Sequence, residues 1–121
     1  MKTILIVDDD RNLRRLYKDE LEAEGYHIAL AADGREALDF VSRERPDLVL
    51  MDVRMPEMDG LEAMARLLRE YGGVPVLLNT AYSSYQDNFL TWAADGYIMK
   101  SSDLRPLKEK IHEILIRALP A

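Results

Sequence analysis

Four short apolar runs in this chain of 121 residues end in polar groups that suit one reaction centre. Residues 4–7 lead into Asp8-Asp9-Asp10, residues 47–51 into Asp52, residues 74–78 into Asn79-Thr80, and residues 97–99 into Lys100. Carboxylates gathered in one crevice repel one another and raise one another's pKa unless a cation sits among them, so the set implies a divalent ion. Magnesium takes hard oxygen ligands and is typically held by one or two carboxylates together with a phosphate, which leaves a carboxylate free to attack. Attack of a carboxylate on a phosphoryl group gives an aspartyl phosphate. The phosphoryl oxygens then need charge stabilisation, which a metal, the Lys100 ammonium and the Thr80 hydroxyl would provide.

Each of these residues also has a plainer reading. Asp8 to Asp10 could cap a helix starting near Arg11, although one Asp suffices for that. Asp52 could be a turn residue ahead of Pro56 and Asp59-Gly60, Lys100 a solvated lysine, and Thr80 a strand-end threonine. Jointly the plain readings weaken. The side chains converge only if every run is a buried strand and all the carboxyl ends lie at one edge of a parallel sheet, where open α/β folds bind ligands.

The pattern between the runs supports that arrangement. Continuous rather than alternating apolarity marks strands covered on both faces, with residues 26–31 a more mixed fifth run. Leu13, Leu16, Tyr17 and Leu21 recur at helical spacing, as do Leu61, Met64, Ala65 and Leu68. Leu104, Leu107, Ile111, Ile114, Leu115 and Ala118 repeat the pattern near the end, and weaker helical stretches cover residues 35–42 and 84–93. No internal repeat interrupts the order, which is (βα) five times. An α/β, doubly wound, five-stranded parallel sheet with right-handed crossovers and helices on both faces is expected, as one domain over residues 1–121.

Composition narrows the function. Hydrophobic residues make up 48% and charged residues 31%, as in soluble globular chains. Sixteen Lys and Arg against 22 Asp and Glu give a net charge of −6, which opposes attraction to nucleic acid or to an anionic membrane face. The lack of cysteine excludes disulfides, thiolate metal sites and cysteine nucleophiles. No apolar run approaches the roughly 20 residues of a membrane span, so a cytoplasmic protein without direct nucleic-acid binding or membrane insertion is expected. His27 and His112 lack metal-ligand spacing and read as surface residues. Met51, Met55, Met58 and Met64 read as packing, and Phe89 and Trp92 as core residues of the fourth predicted helix with a share in an interface.

At this point the residues match a known family. Ile4-Leu5-Ile6-Val7-Asp8-Asp9, the segment from Leu48 to Gly60, Thr80-Ala81 and Tyr97-Ile98-Met99-Lys100 resemble a response-regulator receiver domain of two-component signalling, similar to the chemotaxis-Y type, from end to end. The resemblance implies the flavodoxin-like strand order 2-1-3-4-5. It implies Asp52 as phosphoacceptor, with Mg²⁺, or Mn²⁺ in its place, ligated by Asp9, Asp52 and the backbone carbonyl of Arg54, and Asp8 helping through water. Thr80 and Lys100 would contact the phosphoryl group, and Tyr97 would turn inward when Thr80 moves. Arg54 and Tyr82, two residues past the phosphoacceptor and the threonine, would tune dephosphorylation. The implied partners are a histidine kinase or histidine phosphotransfer protein and a downstream protein met by the fourth helix, last strand and C-terminal helix. A monomer or a phosphorylation-dependent dimer is expected.

The family usually carries proline after the lysine, often with a cis peptide, whereas Lys100 is followed by Ser101-Ser102. A cis bond before a non-proline residue costs about 2.5 to 4 kcal/mol, so trans is expected there. Glycine usual near the end of the fourth helix is replaced by Ala93-Ala94. The start at Met1 and the finish at Leu119-Pro120-Ala121 suggest a stand-alone switch rather than a classical enzyme; the alternative is a receiver cut from a transcription factor or hybrid kinase. A more distant alternative is a haloacid-dehalogenase-type phosphatase, because Asp8-Asp9-Asp10 also reads as Asp-x-Asp after the first strand.

Overall fold

A computed structural model describes residues 1–52, 60–80 and 95–117. Five strands, β1 (Thr3–Val7), β2 (His27–Ala31), β3 (Leu48–Met51), β4 (Val76–Thr80) and β5 (Gly96–Met99), form one sheet in the order β2-β1-β3-β4-β5. All the pairings are parallel, as expected. Helices α1 (Arg11–Glu22), α2 (Gly34–Arg43) and α3 (Gly60–Glu70) and a C-terminal helix (Arg105–Arg117) complete the described elements. The fourth predicted helix, with Phe89 and Trp92, lies outside the described residues, as do Met55, Met58 and Ala118.

Because side chains alternate across a strand, the central strands build two cores at once. Leu5, Val7, Val49, Met51, Val76 and Leu78 pack with Ala37, Leu38 and Val41 of α2 and with Ala63 and Leu67 of α3. Ile4, Ile6, Leu48, Leu50 and Leu77 pack on the other face with Tyr17 and Leu21 of α1 and with Leu107, Ile111, Ile114 and Leu115 of the C-terminal helix. β2 and β5 are the sheet edges, which explains the mixed reading of residues 26–31: His27 and Leu30 are exposed while Ile28 and Ala31 are buried. His27 and His112 are both exposed, and Met51 is fully buried.

Two helix faces differ from the sequence reading. Leu16 is exposed, and Tyr17 and Leu21, four residues apart, carry the buried stripe of α1. Among the described side chains of α3, Ala63 and Leu67 are buried and Leu68 is exposed, while the side chains of Leu61 and Met64 lie outside the described residues. Residues 61–68 are apolar around most of the helix, so spacing alone did not fix the phase. β4 also starts two residues later than the apolar run and includes Asn79 and Thr80 as its last residues. Among the described residues no peptide is cis, so Lys100-Ser101 is trans, as expected.

Candidate functional site

Strand register assembles the site. Val7 pairs with Met51 and Met51 with Leu78, so the next residues, Asp8, Asp52 and Asn79, leave three adjacent strands side by side. Alternation places them on the face of Ile4, Ile6, Leu48, Leu50 and Leu77, and Lys100, two residues past Ile98, joins them from β5. The backbone continues the ladder one step further: the Asp8 N–H donates to the Ala31 carbonyl at 3.1 Å and the Asp52 N–H to the Val7 carbonyl at 2.8 Å.

The β1–α1 turn is held by its own acids. Asp10 caps α1, its carboxylate accepting the N–H groups of Asn12 and Leu13 at 2.9 and 3.2 Å. The Asp10 N–H donates to Asp8 Oδ1 at 2.9 Å, and the Arg14 guanidinium donates to the Asp8 carbonyl at 2.7 Å. Asp8 and Asp52 are buried, whereas Asp9 is exposed beside them. One carboxylate oxygen from each of the three lies within 4.8 Å of the others, a hard-oxygen set that fits a divalent cation.

Lys100 Nζ stands 2.9 Å from Asp8 Oδ2 and 3.5 Å from Asp52 Oδ2. Burial works against its ammonium, but the Asp8 hydrogen bond and the charges of Asp8 and Asp52 outweigh it and hold the lysine above its usual range. For Asp52 the balance goes the other way. Burial, and then the Asp8 charge, push its carboxyl up to about 6 despite Lys100. A cation among the carboxylates would return Asp52 to its ionised form, the form in which a carboxylate can act as a nucleophile.

The structure therefore brings together Asp8, Asp9, Asp52 and Lys100. Thr80 closes β4, but its side chain, like all of Arg54, Ala81 and Tyr82, lies outside the described residues. Tyr97 is half-buried against the core on the α2 and α3 face, and its hydroxyl donates to Met99 Sδ at 3.5 Å. Two contributors went unnoticed in the sequence. Arg14 looks like any helix-surface arginine, and Asn79 was noted only as the end of a run, although an Asn inside Val-Leu-Leu-Asn is unusual for a buried strand. Its side chain is buried and donates to the Tyr17 hydroxyl at 3.1 Å.

Residues 4–112 match the family described as the response regulator receiver domain. The chain belongs to that family. The receiver is 40% identical over 119 residues to the response regulator MprA of Mycolicibacterium vanbaalenii, a match that covers 97% of this chain and 52% of that one. It thus spans about half the length of the curated relatives it matches. Among solved structures it is similar to response regulator TrrA from Thermotoga maritima in complex with Mg²⁺-BeF, with 42% identity, a TM-score of 0.91, and coverage of 94% of this chain and 99% of that one. TrrA in complex with histidine kinase ThkA matches with 43% identity and a TM-score of 0.89, over 95% of this chain and 99% of that one. A CheY-like receiver domain protein from Methanospirillum hungatei matches with 36% identity and a TM-score of 0.92, over 98% of this chain and 96% of that one. The match favours the receiver over the phosphatase alternative. In it Asp10 would have to work as an acid, and Asp10 is engaged as the α1 cap.

Proposed function

We propose that this receiver, occupying residues 1–121, is a cytoplasmic phosphorylation switch in which Asp52 accepts a phosphoryl group from a histidine kinase or histidine phosphotransfer protein. The observation that carries the reading is the buried Asp52 carboxylate at the end of β3, with Asp8, Asp9 and Lys100 gathered on it. The complex of the similar TrrA with a histidine kinase supports the donor class.

In the transfer, an Asp52 carboxylate oxygen forms the bond to phosphorus, and the bond to the donor nitrogen breaks with its electron pair leaving on the imidazole. Lys100 exchanges its carboxylate partners for a phosphoryl oxygen, and the Thr80 hydroxyl takes another. Asp9, Asp52 and the Arg54 carbonyl would hold Mg²⁺, or Mn²⁺, which would supply positive charge to neutralise the phosphoryl oxygens. Asp8 helps through water. The magnesium complex of TrrA is consistent with that choice of ion.

The protein is a binding module that catalyses its own phosphorylation and slow dephosphorylation, and no separate substrate is turned over. Arg54 and Tyr82 tune dephosphorylation and lengthen the signal. Output runs through Thr80 and Tyr97 to the surface of the fourth predicted helix, β5 and the C-terminal helix. There a downstream protein, or a second copy, docks as a shift in populations. Nucleic acid and membrane are not partners of this surface, whose chain carries a net charge of −6.

Incubation with acetyl phosphate and Mg²⁺ followed by intact-mass measurement tests the assignment. The wild type gains one phosphoryl group and Asp52→Ala gains none. An undiminished gain in Asp52→Ala overturns it.

A further inference from the structure

Beside the acids lies a polar pair that phosphoryl transfer as described does not use. Tyr17 and Asn79 are 2% and 3% exposed, yet each carries a polar group into the apolar face between α1, β4 and the C-terminal helix. Asn79 Nδ2 donates to the Tyr17 hydroxyl at 3.1 Å. A polar pair in that position has a cost that an apolar pair would avoid, so its retention calls for a use.

Its position relative to Lys100 suggests the use. Lys100 follows β5, while the carboxylates it meets follow β3 and β1, so its side chain has to cross the carboxyl end of β4. Neighbouring strands lie about 4.8 Å apart, so the ammonium works near the limit of its reach and small shifts of its stem matter. On that face of β4 the residue at the crossing is Asn79, next to Asp52 in register, with Tyr17 behind it. The Tyr17 hydroxyl is near enough to feel the charges of Lys100, Asp8 and Asp52. A cavity of about 40 Å³ borders the pair and reaches Ile98, Met99 and Ser101, the residues on either side of Lys100. That volume exceeds the roughly 10 to 15 Å³ a water molecule needs, so the pair has room to adjust as the lysine changes partners.

We propose that Tyr17 and Asn79 are positioning residues for the phosphoryl transfer, forming a hydrogen-bonded polar pair that sets where the Lys100 ammonium stands. The proposal rests on Asp52 being the phosphoacceptor. The pair acts through the lysine. Removing the Tyr17 hydroxyl leaves the Asn79 amide without its acceptor and the pair without its fixed geometry.

The test compares wild type, Tyr17→Phe, Asn79→Leu and the double variant. Phosphorylation by acetyl phosphate is followed across a Mg²⁺ titration, with Tm measured alongside. Tyr17→Phe keeps the ring and so the packing, and it is the variant certain to be informative. Its maximal rate is expected to fall about five- to tenfold with the Mg²⁺ midpoint unchanged, since misplacing a catalytic group by about 1 Å can cost up to about 100-fold. Each single variant leaves a buried polar group unpaired and lowers Tm, whereas the double variant removes both partners and recovers Tm. In the double variant the rate stays low although the fold is restored. A wild-type rate in Tyr17→Phe, or a rate that recovers with Tm in the double variant, overturns the proposal and leaves the pair a packing feature. A wild type that gains no phosphoryl group fails the Asp52 reading instead.

Discussion

Lys100 stands closer to Asp8 than to Asp52, 2.9 Å against 3.5 Å, although Asp8 belongs to the more distant strand. The lysine therefore compensates both buried acids and is held more closely by Asp8 than by Asp52, the proposed phosphoacceptor. This arrangement makes Lys100 a competitor for any cation that enters between the carboxylates.

Lys100→Met keeps the length of the stem and removes the charge. Without metal, two buried carboxylates then lack their counter-charge, and breaking a buried pair in this way costs about 3 to 5 kcal/mol. The same loss removes the competitor. Thermal melts with and without Mg²⁺ should show a lower Tm for the variant without metal, and a larger Mg²⁺-induced rise than in wild type. An equal rise in both proteins would show that the ammonium does not compete.

Asp52 makes stability depend on pH. Its carboxyl is raised from 3.8 to about 6, chiefly by burial, so the folded protein holds that proton more tightly than the unfolded chain does. The stabilising share is whole below about pH 4 and is lost as pH rises through about 6. Asp52→Asn, which mimics the protonated form, should therefore stabilise the metal-free protein at pH 8 by up to about 3 kcal/mol, the equivalent of a shift of roughly two units. The gain should fade towards pH 4, and Mg²⁺ should narrow it at pH 8. Urea titrations at several pH values with chelator present check both.

How the fold was legible follows from the same residues. Ile4 to Val7 and Leu48 to Met51 are apolar at every position because both sheet faces are covered, and this continuity is what identifies a parallel sheet. Once the strands are placed, the acids and Lys100 fall at one edge by topology alone, so most of the site could be read before any coordinates. What could not be read depends on helix rotation and on partners distant in sequence. Nothing local distinguishes Leu16 from Leu13, or says that Tyr17 meets Asn79 across 62 positions of chain. Arg14 is a surface residue in any pattern, and only the folded β1–α1 turn brings its guanidinium onto the Asp8 carbonyl.

Gly96 opens β5 and faces Leu77 of β4 and Ile114 of the C-terminal helix. A Cβ there would lie 3.0 Å from Leu77 Cδ1 and 3.3 Å from Ile114 Cδ1, tighter than ordinary contact. Gly96→Ala gains about 0.4 to 1 kcal/mol from a stiffer unfolded chain but pays about 1 to 3 kcal/mol in overpacking, so a net loss of about 1 kcal/mol is expected. Ile114→Val removes the Cδ1 that would meet the new methyl group and so relieves that part of the crowding, and the double variant should lose less than the sum of the two single losses. A urea-denaturation cycle over the four proteins measures this, and strict additivity would place the strain elsewhere.

Arg14 has two opposed effects on the acids that follow β1. Its positive charge repels an incoming cation, while its hydrogen bond at 2.7 Å fixes the Asp8 backbone, whose side chain is further pinned by the Asp10 N–H. Arg14 is only half-buried, so solvent screens the charge, whereas the hydrogen bond is short and charge-assisted and is lost entirely on truncation. The hydrogen bond should therefore dominate. Outer groups that orient metal ligands typically contribute about 10- to 100-fold to affinity, and if Asp8 acts through water, as proposed, the lower end is expected here. Arg14→Leu should weaken Mg²⁺ binding about tenfold, whereas Arg14→Gln, which keeps a donor and loses the charge, should bind at least as tightly as wild type. Titrations at low and moderate salt separate the two effects. If Arg14→Leu and Arg14→Gln both bind more tightly, and the gain disappears with salt, the charge of Arg14 outweighs its support of the turn.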